Sequence, residues 1–472
     1  MKLYENLADQ LEESIRSGAL RPGDKLPSVR HTSGRRGVSP ATVFQAYYLL
    51  EARGLIRARE RSGYFVAAGN GGVPQPQTPS APSEESVELD VADRVFTLLD
   101  SVMKRNIVPF GSPFPSPTLF PLPRLGKSMA IAARTLSSWA VVDEMSPGKH
   151  ALRRLIAARY AVDGITVGLD EIVITNGALE ALNLTLAAIT RPGDAVVVES
   201  PTFYGALQAI QRLGLRAVEV STHPHDGLDL AALGQAISRH RPKACWLMPT
   251  FQNPLGCTMS EDRKKELVAL LALHRVPLIE DDVYGELYFG PRRPLPAKAF
   301  DREGLVLHCS SYSKTLAPGY RIGWTAAGLY ADAVMRLKLS TTLATSAPGQ
   351  LGLARYLAGG GYDRHLRKLR EQLAHQYAAT AQAVARHFPA GTEATRPDGG
   401  YMFWVVLPEG TDAVELHRRA LAQRVSVAPG PMFSASGQFA NCIRINFGHP
   451  LDARAERALE QLGKLAAELV PS

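Results

Sequence analysis

The stretch that decides the fold is Ser310–Trp324, SSYSKTLAPGYRIGW. It packs a lysine, hydroxyls on both sides of it, a Pro-Gly turn and an arginine into one short segment. Lys314 offers an amine able to form a Schiff base. Ser311 and Ser313 offer hydroxyls to a phosphate or to backbone, and Arg321 offers a planar guanidinium charged at any working pH. The Pro318-Gly319 turn brings Arg321 back toward the lysine. Such a set suits an aldehyde cofactor that carries a phosphate. A lone Ser-x-Lys is more often an ordinary surface loop, so the residues upstream decide.

From about Val87 to Leu469 helical patterns alternate with short apolar runs, EIVIT, AVVVE, ACWLM, PLIED and LVLHC. These read as buried strands of a mainly parallel sheet wrapped by helices, an α/β architecture. Chemistry in such sheets sits just past the carboxyl ends of the strands. After EIVIT, Asn176-Gly177-Ala178 opens a helix whose free N–H groups suit a phosphate. After AVVVE, Phe203 or Tyr204 can lie on a heteroaromatic ring. After ACWLM, Asn253 can donate to a ring oxygen. After PLIED, Asp281 can keep a pyridine nitrogen protonated and Tyr284 can bond a ring hydroxyl. No histidine or third carboxylate stands where it would complete a metal site with the acidic pair, so no metal is expected.

The chain has 472 residues, enough for two or three domains, with 45% hydrophobic and 21% charged residues and a net charge of +8. No apolar run approaches the roughly 18 residues of a membrane span. The start, MKLYENLADQLEESI, lacks an apolar leader core, and a cytoplasmic protein is expected. Cys245, Cys257, Cys309 and Cys442 are widely spaced and read as buried thiols rather than a disulfide or zinc framework.

Residues 1–68 hold eleven Lys plus Arg against seven Asp plus Glu, a bias that fits a polyanionic partner. Leu3, Leu7, Leu11 and Ile15 recur at helical spacing, and Ser17-Gly18 ends that helix. Val29–Arg36 is a weaker helix with no apolar stripe. Ser39-Pro40 reads as an N-cap with proline at the first helical position, opening a third helix to about Arg53 with Val43, Tyr47 and Leu50 on one face. Leu55–Arg59 and Gly63–Val66 read as a hairpin with a charged tip. Residues 69–86, rich in Gly, Pro, Ser and Gln, read as a flexible tether before the large domain at 87–472.

The spelling YENLADQLEESIRSGALRPGDKLPSVR, GVSPATVFQAYYLLEARGLI and RSGYFV resembles the winged helix-turn-helix of GntR-type regulators, an α+β DNA-binding domain. That resemblance implies DNA contacts at Arg30, Ser39, Thr42 and Gly63. The chain departs from it at Thr32, Ser33 and Arg36, where the second helix usually carries Leu and Ala, and at Pro40, where many members have arginine. The ordered strand-end elements resemble fold-type I pyridoxal-phosphate enzymes of the aminotransferase class I and II group, with a small C-terminal α+β subdomain at about 350–472. The resemblance implies that Lys314 forms the Schiff base, Asp281 pairs with the ring nitrogen, Asn253 and Tyr284 bond the ring oxygen, and Phe203 stacks. It places Gly177, Ala178, Ser311 and Arg321 at the phosphate, with Ser313 among the cofactor-binding residues, and Arg444, in NCIRINFG, at a substrate carboxylate. DGGYMFW and APGPMF match the small subdomain. Met145 stands where many members supply a tyrosine to the neighbouring subunit.

A GntR-like reader joined to an aminotransferase-like domain resembles the MocR group. The resemblance implies a cytoplasmic, homodimeric regulator that binds double-stranded DNA and pyridoxal 5'-phosphate and senses an amino compound or the cofactor itself. The alternative is an active aminotransferase of 2-amino acids with an accessory or vestigial DNA-binding domain.

Overall fold

The computed structural model describes residues 3–17, 19–21, 23–52, 55–59, 63–66, 73–89, 106–138 and 147–471. Met145, the wing tip and the first residues of the tether lie outside these. At the N-terminus stand α1 (Leu3–Arg16), α2 (Val29–Arg36) and α3 (Pro40–Ala52). They are followed by an antiparallel hairpin of β1 (Ile56–Arg59) and β2 (Gly63–Val66), with Ile56 opposite Val66 and Arg59 opposite Gly63. Leu7, Val43, Tyr47, Leu50 and Ile56 form its core.

The weakly patterned α2 holds because polar groups replace apolar packing. Ser28 caps it by accepting from His31 N at 3.2 Å, and Gly37 ends it at φ 66°. Thr32 is buried and shares a 2.8 Å hydrogen bond with the Tyr47 hydroxyl. Ser33 Oγ donates to Val38 O at 2.7 Å, and Arg36 donates to Gln10 Oε1 at 2.7 Å. As expected, Ser39 Oγ caps α3 by accepting from Thr42 N at 3.1 Å.

The body is built on an eight-stranded sheet: β3 (Ile172–Thr175), β4 (Ala195–Ser200), β5 (Arg216–His223), β6 (Gly227–Leu228), β7 (Ala244–Leu247), β8 (Leu278–Asp281), β9 (Val306–Ser311) and β10 (Gly323–Ala326). Their spatial order is β3-β10-β9-β8-β7-β4-β5-β6. Only β10 and the short β6 run against the rest. Alternate side chains go to opposite faces. Val196, Val198, Trp246 and Ile279 pack on α4 (Ala178–Ile189) and on the helix Tyr204–Arg212. Val197, Cys245, Leu247 and Leu278 pack on the helices Leu230–His240 and Glu261–Leu273. Each fully buried Leu or Ile contributes about 1.5–3 kcal/mol, so two apolar faces hold the sheet and leave its strand ends open. All four cysteines are free and buried.

The small subdomain is a four-stranded sheet containing Met402–Val406 and Cys442–Asn446, backed by the helices Ala413–Ala422, Ala453–Glu468 and α5 (Tyr362–His387). Helix α3 meets α5 where Tyr48 stacks on His375, with centroids 6.1 Å apart and planes 12° from parallel.

The expected free tether is corrected from Val73 onward. Val87 and Ala217 exchange backbone hydrogen bonds at 2.9 and 3.0 Å, Ser80 N donates to Thr222 O at 3.2 Å, and Ala394 N donates to Pro74 O at 2.8 Å. A Pro- and Ser-rich segment with no apolar core of its own is held here by backbone groups that the sheet edge leaves unpaired.

Candidate functional site

Five strands of one direction, β3, β4, β7, β8 and β9, end along the same edge of the sheet, and each delivers one part of the site. From β9 the chain turns into Lys314. Its Nζ donates to Pro113 O at 2.9 Å and lies 4.3 Å from the centroid of the Phe114 ring. Removal from water disfavours the ammonium and lowers its pKa to about 7; Asp281 opposes that shift, and Arg444 and Arg321 add to it.

Asp281, the last residue of β8, is buried. Burial, with Asp282 beside it, pushes its carboxyl up to about 7, and its Oδ1 has no hydrogen-bond partner. Burial would raise Asp282 too, but the His308 hydrogen bond at 3.0 Å and Arg293 at 3.0 Å hold that carboxyl well below the usual range. The Tyr284 hydroxyl points at Met402 Sδ, 4.0 Å away, and burial raises its pKa.

At the end of β3, Gly177 has φ 87° and starts α4, whose first N–H groups lack a side-chain cap. Arg321 lies against it: a Cβ at Gly177 would collide with Arg321 Nη2. Arg321 Nη2 donates to Asn176 O at 2.9 Å, and Nη1 reaches Ser313 Oγ at 3.5 Å. Ser311 Oγ accepts from Ser313 N at 3.4 Å. An uncapped helix start beside a guanidinium is an anion site. After β4, Phe203 lies over Gly205, where any Cβ would strike its ring.

Arg444 is wholly buried. Nη1 donates to Asn253 Oδ1 at 3.0 Å and Nη2 to Gly111 O at 2.8 Å, the Phe433 ring lies 5.1 Å away, and Nε has no partner. The charges of Asp281, Arg444 and Arg321 all act on Lys314, Tyr284 lies within reach of Arg444 and Asp281, and Arg444 bonds Asn253, so these residues gather past the strand ends, with Gly177 and Ser313 beside Arg321. The unpaired Asp281 oxygen, the uncapped helix start with room only for glycine, and the desolvated amine fit a phosphorylated pyridine aldehyde. Among the described residues no cluster could hold a metal ion.

Sequence reasoning missed the strap Gly111–Phe114. Its carbonyls receive Lys314 Nζ, Arg444 Nη2, Asn446 Nδ2 at 2.8 Å and the Tyr401 hydroxyl at 2.9 Å. The Pro-rich GSPFPS marks a loop, but nothing local ties it to a lysine two hundred residues on. It also missed the buried chain that leads to Asp282 through His308, in which the Tyr160 hydroxyl meets His308 Nδ1 at 2.7 Å and Trp324 Nε1 donates to that hydroxyl at 3.0 Å.

On the N-terminal domain Arg30, Ser39 and Gly63 are exposed and Thr42 is half-buried. The hydroxyls of Ser39 and Thr42 lie 2.8 Å apart in the cap of α3. Arg35, Phe44 and Gln45 are exposed on the same two helices, and sequence reasoning did not single them out.

The bacterial regulatory protein gntR family matches residues 3–66, and the aminotransferase class I and II family matches residues 143–462. The chain is 49% identical over 468 residues to the "uncharacterized HTH-type transcriptional regulator YdcR" of Escherichia coli (strain K12), covering 99% of this chain and 100% of that one. Among solved structures, Pyrococcus horikoshii kynurenine aminotransferase superposes with a TM-score of 0.75 at 30% identity, over 81% of this chain and 96% of that one. LysN, the α-aminoadipate aminotransferase of Thermus thermophilus, solved with N-(5'-phosphopyridoxyl)-L-leucine, gives 0.72 at 30% identity, over 79% and 94%. The two domains, in this order and over this whole length, make the chain a member of the MocR-type family, in which a gntR-family winged helix-turn-helix is fused to a class I and II aminotransferase domain.

Proposed function

We propose that the protein is a transcriptional regulator that reads DNA through its winged domain, binds pyridoxal phosphate on Lys314 and senses a small amino compound. The observation that carries the sensing role is Arg444, a wholly buried guanidinium that pairs with no carboxylate among the described residues and keeps Nε free. A buried charge without a counter-ion costs several kcal/mol, and the carboxylate of an amino acid supplies the missing partner by a two-pronged contact.

Pyridoxal phosphate, when bound, supplies an aldehyde for the lysine and a ring that withdraws electrons from an attached amine. Asp281 would hold the proton of the pyridine nitrogen, Asn253 and Tyr284 would bond the ring oxygen, and Phe203 would pack against the ring. Arg321, the start of α4 at Gly177 and Ala178, and the hydroxyls of Ser311 and Ser313 would hold the phosphate. Lys314, with an amine lowered to about 7, takes and returns protons near neutrality. That same property favours the second reading, an aminotransferase of 2-amino acids with an accessory DNA-binding domain.

The acting form in this proposal is a cytoplasmic homodimer, because chromosomal DNA is there and two winged domains can then address two half-sites. The test is fluorescence anisotropy of the cofactor-loaded protein on DNA from upstream of its own gene, at fixed salt and against excess unrelated DNA. Competitor-resistant binding that shifts on adding an amino compound is the expected result. Binding no tighter than to unrelated DNA, together with turnover on 2-oxo acids, would replace the regulator by the aminotransferase.

A further inference from the structure

The tether bonds to the end of β4, the strand that leads into Phe203. Ser80 uses every polar group it has. Its Oγ donates to Ser200 O at 2.6 Å and accepts from Thr222 N at 2.9 Å, its N donates to Thr222 O at 3.2 Å, and its O accepts from Ser221 Oγ at 2.6 Å. Ser200 ends β4, three residues before Phe203. Thr202 N donates to Phe433 O at 2.8 Å, and the Phe433 ring lies beside Arg444. A second path joins the same places: Ser200 Oγ donates to Glu219 Oε1 at 3.4 Å, and Glu219 also receives Ala435 N at 3.0 Å and Ser436 Oγ at 3.2 Å.

The tether also spans both subdomains. Pro74 and Ala81 are held from the small one, by Ala394 N at 2.8 Å and Gln438 Nε2 at 3.4 Å, while Ser80 and Val87 are held on the large one. A ligand joined to Lys314 on the large subdomain and to Arg444 on the small one bears on both ends of these bonds. Coupling of this kind requires only that the ligand favour one arrangement of the bonded segment over another.

We propose that Ser80 is a positioning residue through which occupancy of the cofactor pocket reaches the tether and so the winged domain. This rests on the reading of Lys314 and Phe203 as cofactor residues. Loading fixes Phe203 and the Ser200–Thr202 turn, and Ser80 is held more firmly against Ser200.

The test is hydrogen exchange, read by mass spectrometry on the full chain with and without pyridoxal phosphate, over peptides covering 73–89. We expect exchange there to slow at least about fivefold on loading, within the usual span of coupling between sites. In Ser80→Ala, and separately in Ser221→Ala, the visible absorption of the bound cofactor is expected to persist while the loaded and unloaded tethers exchange alike. An unchanged wild-type tether on loading, or a full wild-type response in both variants, overturns the proposal. Absence of the visible absorption in the wild type would instead overturn the cofactor reading on which it rests. A responding tether on a protein that ignores DNA would overturn the regulator while leaving Ser80 in its role.

Discussion

The hydroxyls of Thr32 and Tyr47 lie 2.8 Å apart inside the winged domain, and Tyr47 also donates to Pro27 O at 2.7 Å. That shared hydroxyl ties α2 to α3 through a polar contact where an apolar one would otherwise be needed. Tyr47→Phe leaves Thr32 buried with a lost partner, a cost of about 1–3 kcal/mol. Urea unfolding followed by a probe in the winged domain should show this loss, with the cofactor absorption of the body unaltered.

Cofactor capture should speed up as pH rises through about 7. Below that value Lys314, lowered to about 7 by burial, is protonated and not nucleophilic, and Asp281, raised to about 7 by burial and Asp282, is neutral and cannot hold a ring proton. Above it both groups are in the productive form. The rate of growth of the visible band on mixing apo-protein with pyridoxal phosphate, measured between pH 6 and 8, tests this; a flat or falling profile refutes it.

Gly177→Ala places a methyl against Arg321 Nη2 at a residue with φ 87°. Left-handed strain of about 1–3 kcal/mol and a displaced guanidinium should weaken cofactor binding roughly tenfold or more. Equilibrium titration of the absorption band gives the number, and DNA affinity of the apo-protein serves as the control.

Arg444→Ala should abolish the response to α-amino acids while the absorption of the Lys314-linked cofactor remains. Loss of a charged two-pronged contact corresponds to a drop of tenfold or more in amino-acid affinity. A titration that still shows wild-type affinity would remove the carboxylate role from Arg444.

What the sequence showed and what it hid divide along physical lines. Runs such as AVVVE and PLIED are buried on both faces, so their composition reveals them and their ends reveal Asn176, Asp281 and Lys314. GWTA, the antiparallel β10 between β3 and β9, passed unnoticed because four residues of mixed type carry no pattern. The second helix shows only weakly in the sequence because its stabilising groups are hydroxyls bonded to Tyr47 and Val38, a tertiary matter. Ser80 reads as part of a loose tether because composition reports whether a segment can form a core, not whether a neighbouring strand offers it free carbonyls. Pro113 and Phe114 reach Lys314 only through the folded chain.

Val87, paired with Ala217 along the outside of β5, has one more effect. The two-residue β6 pairs only with Thr222 and His223, so the rest of β5 has a free edge whose backbone groups can recruit any passing strand, and proteins that leave such an edge bare tend to aggregate. Here the tether shields it. A body fragment beginning after Val87 would present that bare margin to its own copies, so the body is best prepared from Val73, with its covering strip attached.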